Sequence, residues 1–120
     1  MPPATQTASV AAWSDETHVI ENRELYRQKF DQVLVILSDT LAPQKPEAGF
    51  YLWPTTPIAD TDFTQRLFAE QNVTVLPGRY LSRGSSENNP GINKVRMALV
   101  APLDECCDAA HRINNLISTL

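Results

Sequence analysis

Cysteine is scarce in this 120-residue chain: Cys106 and Cys107 are the only two, and they are adjacent. Neighbouring cysteines bridge only with strain, and no spaced pair exists to staple a small domain. Two reduced thiols on one helix are expected, in a reducing cytoplasm. Histidine is equally thin. His18 and His111 stand far apart, neither with a Cys or His at ligand spacing, so no metal site is readable. Glycine occurs four times, at Gly49, Gly78, Gly84 and Gly91, and forms neither G-x-G-x-x-G nor a Walker loop. A nucleotide cradle is therefore not written here. Basic residues are outnumbered, ten Lys and Arg against fourteen Asp and Glu, for a net charge of −4. A general nucleic-acid binder needs a basic face to neutralise phosphates, and this balance argues against one. No apolar run reaches the roughly 18 residues of a membrane span. Met1 to Gln6 hold no Lys or Arg and no apolar core, unlike a secretory signal. Ser9, Ser14, Ser82 and Ser85 have no His partner at readable spacing, so no acyl-transfer triad is legible.

What is present reads as one globular domain, 42% hydrophobic and 20% charged. Nine prolines mark element boundaries rather than linkers, because the stretches between them are too short to fold alone. Tyr26, Phe30, Val33, Leu34, Leu37 and Leu41 step by three and four, which predicts a single long helix from Asp15 to Leu41. Thr7 to Trp13 reads as a further helical turn or two. Phe50-Tyr51-Leu52-Trp53, between Gly49 and Pro54, reads as a strand. Asp60 suits the N-cap of a helix to about Gln71, with Phe63, Leu67 and Phe68 inward. Val73-Thr74-Val75-Leu76 reads as a second strand and Val95 to Ala101 as a third, central one. Residues 79–93 form a polar loop of the length that is usually functional or mobile. Pro102 opens a last helix whose apolar stripe is Leu103, Cys106, Cys107, Ala110, Ile113 and Ile117. A helix between the first two strands favours a parallel crossover, and the third strand could pair antiparallel beside the first. The expected fold is a two-layer α/β (α+β) sandwich, an approximately three-stranded mixed sheet with helices over one face and a long first helix.

Arg96 is the anomaly, a charge within Val95-Arg96-Met97-Ala98-Leu99-Val100. Alternation sets it on the face of Ala98 and Val100 or at the strand's end. Burying a guanidinium is expensive unless it is paired. Two readings stay open: a structural arginine meeting Asp, Glu or solvent, and a planar fork for a ligand carboxylate. Of the three lysines, Lys29 is expected on the solvent side of its helix, Lys45 between prolines, and Lys94 as surface charge beside the third strand. Trp13 and Trp53 are expected as packing anchors.

Several stretches in order carry a resemblance: Ala12-Trp13-Ser14-Asp15-Glu16, Glu21-Asn22-Arg23, Gly49-Phe50-Tyr51-Leu52-Trp53, Leu76-Pro77-Gly78-Arg79-Tyr80, Asn89-Pro90-Gly91 and Val95-Arg96-Met97-Ala98-Leu99-Val100. Together they resemble the class I/II pyridoxal-phosphate aminotransferases, nearest to the subgroup acting on N-succinyl-LL-diaminopimelate in lysine biosynthesis. The resemblance covers less than a third of such an enzyme and falls on its C-terminal small domain. Residues 1–41 would be the interdomain helical segment and 49–120 the α/β core, with Met1 an internal methionine. It implies Arg96 as the arginine gripping the substrate's α-carboxylate, with Tyr51 and Gly78 near the mouth of the site. It implies amino-acid and 2-oxo-acid substrates, typically 2-oxoglutarate, and a cytoplasmic homodimer formed through a large domain absent from this chain. The pyridoxal 5'-phosphate, its lysine and its phosphate site would lie in that domain, leaving the isolated chain without cofactor and inactive. The competing reading is an independent regulatory or protein-interaction domain that binds an amino acid or a partner.

Overall fold

Apolar residues at helical spacing make four helices, and three short strands lie between them in the computed structural model, which describes residues 1–120. Helix α1 spans Pro3–Ser14 and α2 Thr17–Ile36. Strand β1 is Tyr51–Leu52, α3 is Asp60–Gln71, β2 is Leu76–Pro77, β3 is Val95–Ala98 and α4 is Leu103–Ile117. A single 3₁₀ turn, Gly78–Tyr80, follows β2.

The sheet is antiparallel throughout, in the order β1-β3-β2. Tyr51 faces Ala98 and Leu52 faces Met97 on one side, while Leu76 faces Arg96 and Pro77 faces Val95 on the other. The antiparallel pairing of the third strand with the first is as expected, while the parallel pairing of β1 with β2 that would have made the sheet mixed does not form. Helix α3 does carry the chain between two strands of like direction, but β3 lies between them and pairs with both. Pro77 tolerates this edge position because it has no N–H to offer a ladder. The strands are shorter than the β-branched runs suggested: Val73 to Val75 stay outside the ladder, and β3 stops at Ala98. Backbone bonds still extend the pairing, from Leu99 N–H to the Phe50 carbonyl (2.8 Å) and from Thr56 N–H to the Asn93 carbonyl (2.7 Å).

The N-terminal region holds the two expected helical pieces, the first longer than the turn or two read from the sequence, and they break where Asp15 is extended (φ −94°, ψ 101°). Its carboxylate accepts the Thr17 N–H at 3.1 Å and lies 2.9 Å from the His18 ring nitrogen, so it caps α2 from outside. At the other end α2 stops at Ile36, and residues 37–41 form turns. Helix α1 buries no residue, and Trp13, expected to anchor packing, is 85% exposed. The radius of gyration, 17.4 Å, exceeds the roughly 13.6 Å of a compact chain this long, as an outlying arm requires.

The core is one layer of side chains between the sheet and three helices. Phe30, Val33 and Leu37 come from the second helical stretch, Phe63 and Leu67 from α3, and Cys106, Ala110, Ile113 and Leu116 from α4. They meet Leu52, Val95, Met97 and Leu99 from the sheet's inner face. Phe68 steps off the α3 stripe and is 60% exposed, contrary to its expected inward position.

Asp60 does not cap α3. Ala59 occupies the N-cap, and Asp60 is the first helical residue with its side chain wholly buried. That carboxylate accepts the Arg79 guanidinium (2.9 and 2.6 Å), the Arg79 N–H (3.2 Å) and the Asn93 N–H (3.2 Å). It thereby clips together both ends of the loop 79–93. Gly78 and Gly91 meet beneath it, backbone to backbone, with Gly78 N–H donating to the Lys94 carbonyl at 2.7 Å. A Cβ on Gly78 would overlap the Gly91 carbonyl oxygen and sit 2.8 Å from that of Lys94.

Three outcomes are expected. Burial acts to raise the Asp60 pKa, yet the bonds from Arg79 and Asn93 outweigh it and hold the carboxyl below its ordinary value. Its contribution is therefore complete above the unfolded value of about 4 and is lost as pH falls through the lower native one. Asp60→Ala should destabilise the fold by about 3 kcal/mol at pH 7, because two amides and a guanidinium lose their acceptor. Asp60→Asn should flatten the acid limb of a urea-midpoint profile between about pH 2 and 6; a limb of unchanged slope would assign the acid sensitivity elsewhere. Gly78→Ala should destabilise by about 1–3 kcal/mol, since backbone rather than a flexible side chain must yield; an unshifted urea midpoint would contradict the close approach.

Candidate anion-binding groove

Period-two alternation along β3 turns Val95, Met97 and Leu99 into the core and leaves Lys94, Arg96 and Ala98 on the opposite face. No helix covers that face. Arg96 is half-buried there and is neither ion-paired nor hydrogen-bonded by its guanidinium to any protein group, whereas Arg27, Arg66, Arg79 and Arg112 all have carboxylate partners. Of the structural reading of Arg96, the branch in which a neighbouring acid neutralises it does not form, and its partial exposure leaves the branch in which it meets solvent.

Aromatic rings position it instead. The guanidinium carbon lies 5.0 Å from the Tyr51 ring centroid and 5.4 Å from that of Phe50. The two rings stand edge to face, 5.8 Å apart at 81°. Such contacts attract the cation electrostatically and take up none of its N–H donors, which stay available to a ligand. Tyr51 reaches Arg96 because β1 pairs with β3 in a register that sets Tyr51 against Ala98.

Arg96 lines an open groove of about 930 Å³. One wall is the turn and proline-rich stretch from Leu41 to Ala48, and the floor includes Tyr51, Trp53 and Thr55. Ala42, on this wall, takes a left-handed conformation (φ 43°), its N–H donating to the Leu37 carbonyl at 2.9 Å. Only two charged residues line the groove, Lys94 and Arg96, and no carboxylate does. In a chain of net charge −4, this concavity is locally cationic. A groove lined by one sign of charge concentrates ions of the other.

The sequence-derived candidates separate. Arg96 and Tyr51 come together, while Gly78 lies off the groove, buried against Gly91 and Lys94. Trp53 is half-buried on the groove floor. Lys94, expected as surface charge, lines the groove beside Arg96, and its two-residue spacing on the strand puts both on one face. Lys29 is not free on the solvent side: its ammonium donates to the Leu99 carbonyl at 3.2 Å and lies 4.6 Å from the Tyr26 ring centroid. Lys45 pairs with Asp31 at 2.6 Å. Both cysteines are free thiols. Burial raises the Cys106 pKa, and its Sγ donates to the Ala101 carbonyl, which leaves it a poor nucleophile. No group of three or more His, Cys, Asp or Glu gathers to hold a metal, and no helix is long and apolar enough to cross a membrane.

Known proteins share this fold. An aminotransferase of Neisseria meningitidis superposes with a TM-score of 0.92 at 43% identity, over 98% of this chain and 30% of its own. A probable N-succinyldiaminopimelate aminotransferase of Thermus thermophilus superposes at 0.71 with 32% identity, over 85% of this chain and 26% of its own. An LL-diaminopimelate aminotransferase of Syntrophobacter fumaroxidans is 30% identical over 117 residues, which is 94% of this chain and 29% of that protein. The chain thus spans less than a third of the length of these relatives. The family model for aminotransferase class I and II matches residues 1–112, from the outlying first helix through the cationic strand and into α4. The chain belongs to the class I and II aminotransferases.

Proposed function

We propose that this chain is the C-terminal small domain of an aminotransferase and supplies the group that grips the carboxylate of an amino acid or 2-oxo acid. The observation that carries this is the state of Arg96: unpaired, steadied by Phe50 and Tyr51, and set in a groove without a single acid. A carboxylate accepts two parallel N–H bonds from a guanidinium edge, and such a pair fixes the orientation of the ligand as well as its place. The ring contacts take up none of the Arg96 N–H donors. Closure of the small domain over the substrate would bring Arg96 to the reacting carbon and exclude water.

For the substrates we propose N-succinyl-LL-diaminopimelate as amino donor and 2-oxoglutarate as acceptor. The support is that the Syntrophobacter and Thermus relatives carry names that share a diaminopimelate skeleton.

Pyridoxal phosphate is the cofactor the family implies, and when bound it supplies the electron sink for the amino-acid carbon. The residues of this chain do not make its seat. Lys45 is paired on the surface, Lys29 is spent on a carbonyl, and Lys94 stands in an open groove rather than a desolvated pocket. No glycine-rich turn leads into a helix to cradle its phosphate. We place its site on the remainder of the enzyme.

The test is Arg96→Ala in the full-length enzyme. It should lower kcat/KM by about 100-fold, as expected for loss of a charge-assisted hydrogen-bonded pair, with the cofactor's absorbance unchanged. Arg96→Lys should restore only part, because an ammonium cannot form the two-pronged pair. An unaltered kcat/KM in Arg96→Ala would remove this residue from the site.

A further inference from the structure

Lys94 shares the open face of β3 with Arg96, two residues away, or roughly 6.6 Å along the strand. It is half-buried, lines the same groove, and its ammonium has neither a carboxylate nor a carbonyl partner anywhere in the chain. The remaining lysines contrast with it, since Lys45 meets Asp31 and Lys29 meets the Leu99 carbonyl. Its backbone, by comparison, is firmly tied: Lys94 N–H donates to the Gly91 carbonyl at 3.2 Å, its own carbonyl accepts the Gly78 N–H at 2.7 Å, and it bridges Thr55. The Cα is thus fixed on the strand while the charged end is left free. Two uncompensated cations facing one acid-free concavity suit a ligand with two separated negative groups, because a monocarboxylate would neutralise only one of them.

We propose that Lys94 is a specificity-determining residue that binds a second, distal carboxylate, so that this groove selects dicarboxylic ligands. This rests on the assignment of Arg96 to the first carboxylate. A flexible ammonium accommodates distal carboxylates at different reach, whereas the guanidinium fixes the near one bidentately. The distal acid has two chemical sources, the far end of a five-carbon 2-oxo diacid or a succinyl group on the amino donor. Both present an aliphatic chain ending in a carboxylate, and Trp53 and Tyr51 offer apolar surface beneath such a chain.

The experiment compares Lys94→Met and Lys94→Arg in the full-length enzyme, with Arg96→Ala as reference. Methionine keeps the length of the stem and removes the charge, and the bonds of residue 94 that tie the strand are all backbone bonds. Lys94→Met should raise KM for 2-oxoglutarate about tenfold and leave that for pyruvate unchanged, with kcat little altered. Lys94→Arg should keep the preference for the diacid. The amino-donor arm, N-succinyl-LL-diaminopimelate against LL-diaminopimelate, reads whether the succinyl carboxylate uses the same cation. Calorimetric titration gives a readout independent of turnover: glutarate should lose affinity in Lys94→Met by about the same factor, and propionate should not. A diacid-to-monoacid preference that is unchanged in Lys94→Met in both arms, while Arg96→Ala impairs all substrates, overturns the role of Lys94 alone. Full activity in Arg96→Ala overturns the reading beneath it.

Discussion

Asp60 carries a charge and its side chain has no exposed surface, a placement that costs several kcal/mol unless the carboxylate is fully bonded. The fold bonds it from three directions. The first turn of α3 delivers the carboxylate, the segment after β2 delivers the Arg79 guanidinium and amide, and the residue before Lys94 delivers an amide. Charged acceptors take such bonds more strongly than neutral ones, and their geometry is narrow. Where Asn93 is pinned, Lys94 follows, and Arg96 lies one period further along the same strand. The buried anion behind the sheet therefore fixes the register of the two cations in front of it. The Gly78–Gly91 approach reinforces this, because only two residues without Cβ let the loop's ends close tightly enough for one carboxylate to reach both.

The parts of the fold legible in the sequence were those governed by local periodicity. Helix α3 lies where it was read, and of the α4 stripe Cys106, Ala110 and Ile113 are buried and Ile117 packs on the core, whereas Leu103 and Cys107 are only half-buried and the fully buried Leu116 was omitted. The anomaly at Arg96 was legible for the same reason, as a charge that breaks an apolar run. What escaped depends on which surfaces meet. Two-residue strands hold too little pattern to reveal their partners, so insertion of β3 between β1 and β2 could not be read from their order. Asp60 was misread because a carboxylate at a helix start has two uses, capping its own helix or reaching across to another segment, and the choice depends on Arg79, nineteen residues away. Lys29 looked solvated by its position on α2, yet the end of β3 lies close enough to take its ammonium.

The distribution of apolar surface follows from the one-sided sheet. Every fully buried large side chain lies on the helix side of the sheet, in the helices themselves or in the turn that follows α2. Val10, Trp13, Ile20 and Leu25, along α1 and the first half of α2, find nothing in this chain to pack on. An isolated helix of twelve residues is marginal in water, and α1 gains no tertiary burial to offset that. Its match to the family model is thus of a different kind from that of the sheet. The arm shares sequence with the relatives but has no stability of its own here, whereas the groove stands on a core that this chain completes by itself.

An unpaired cation on a strand is tolerable here for reasons that also suit it to a ligand. Arg96 is only partly withdrawn from water, so its desolvation is incomplete, and the faces of two aromatic rings return part of what is lost. An acid placed beside it would have stabilised the free protein more, but that acid would compete with any incoming carboxylate. The groove holds none, although acids outnumber bases in the chain as a whole. The contrast with Arg79 is instructive. Both arginines lie near the same loop and strand, yet one is given a buried partner and closes the scaffold, and the other has no acid partner and lies beside two rings. A ring attracts the cation electrostatically and takes up none of its N–H donors, so it supports the guanidinium without consuming its binding capacity. Ring contact is thus a support that keeps a carboxylate clamp open, and an ion pair cannot do both.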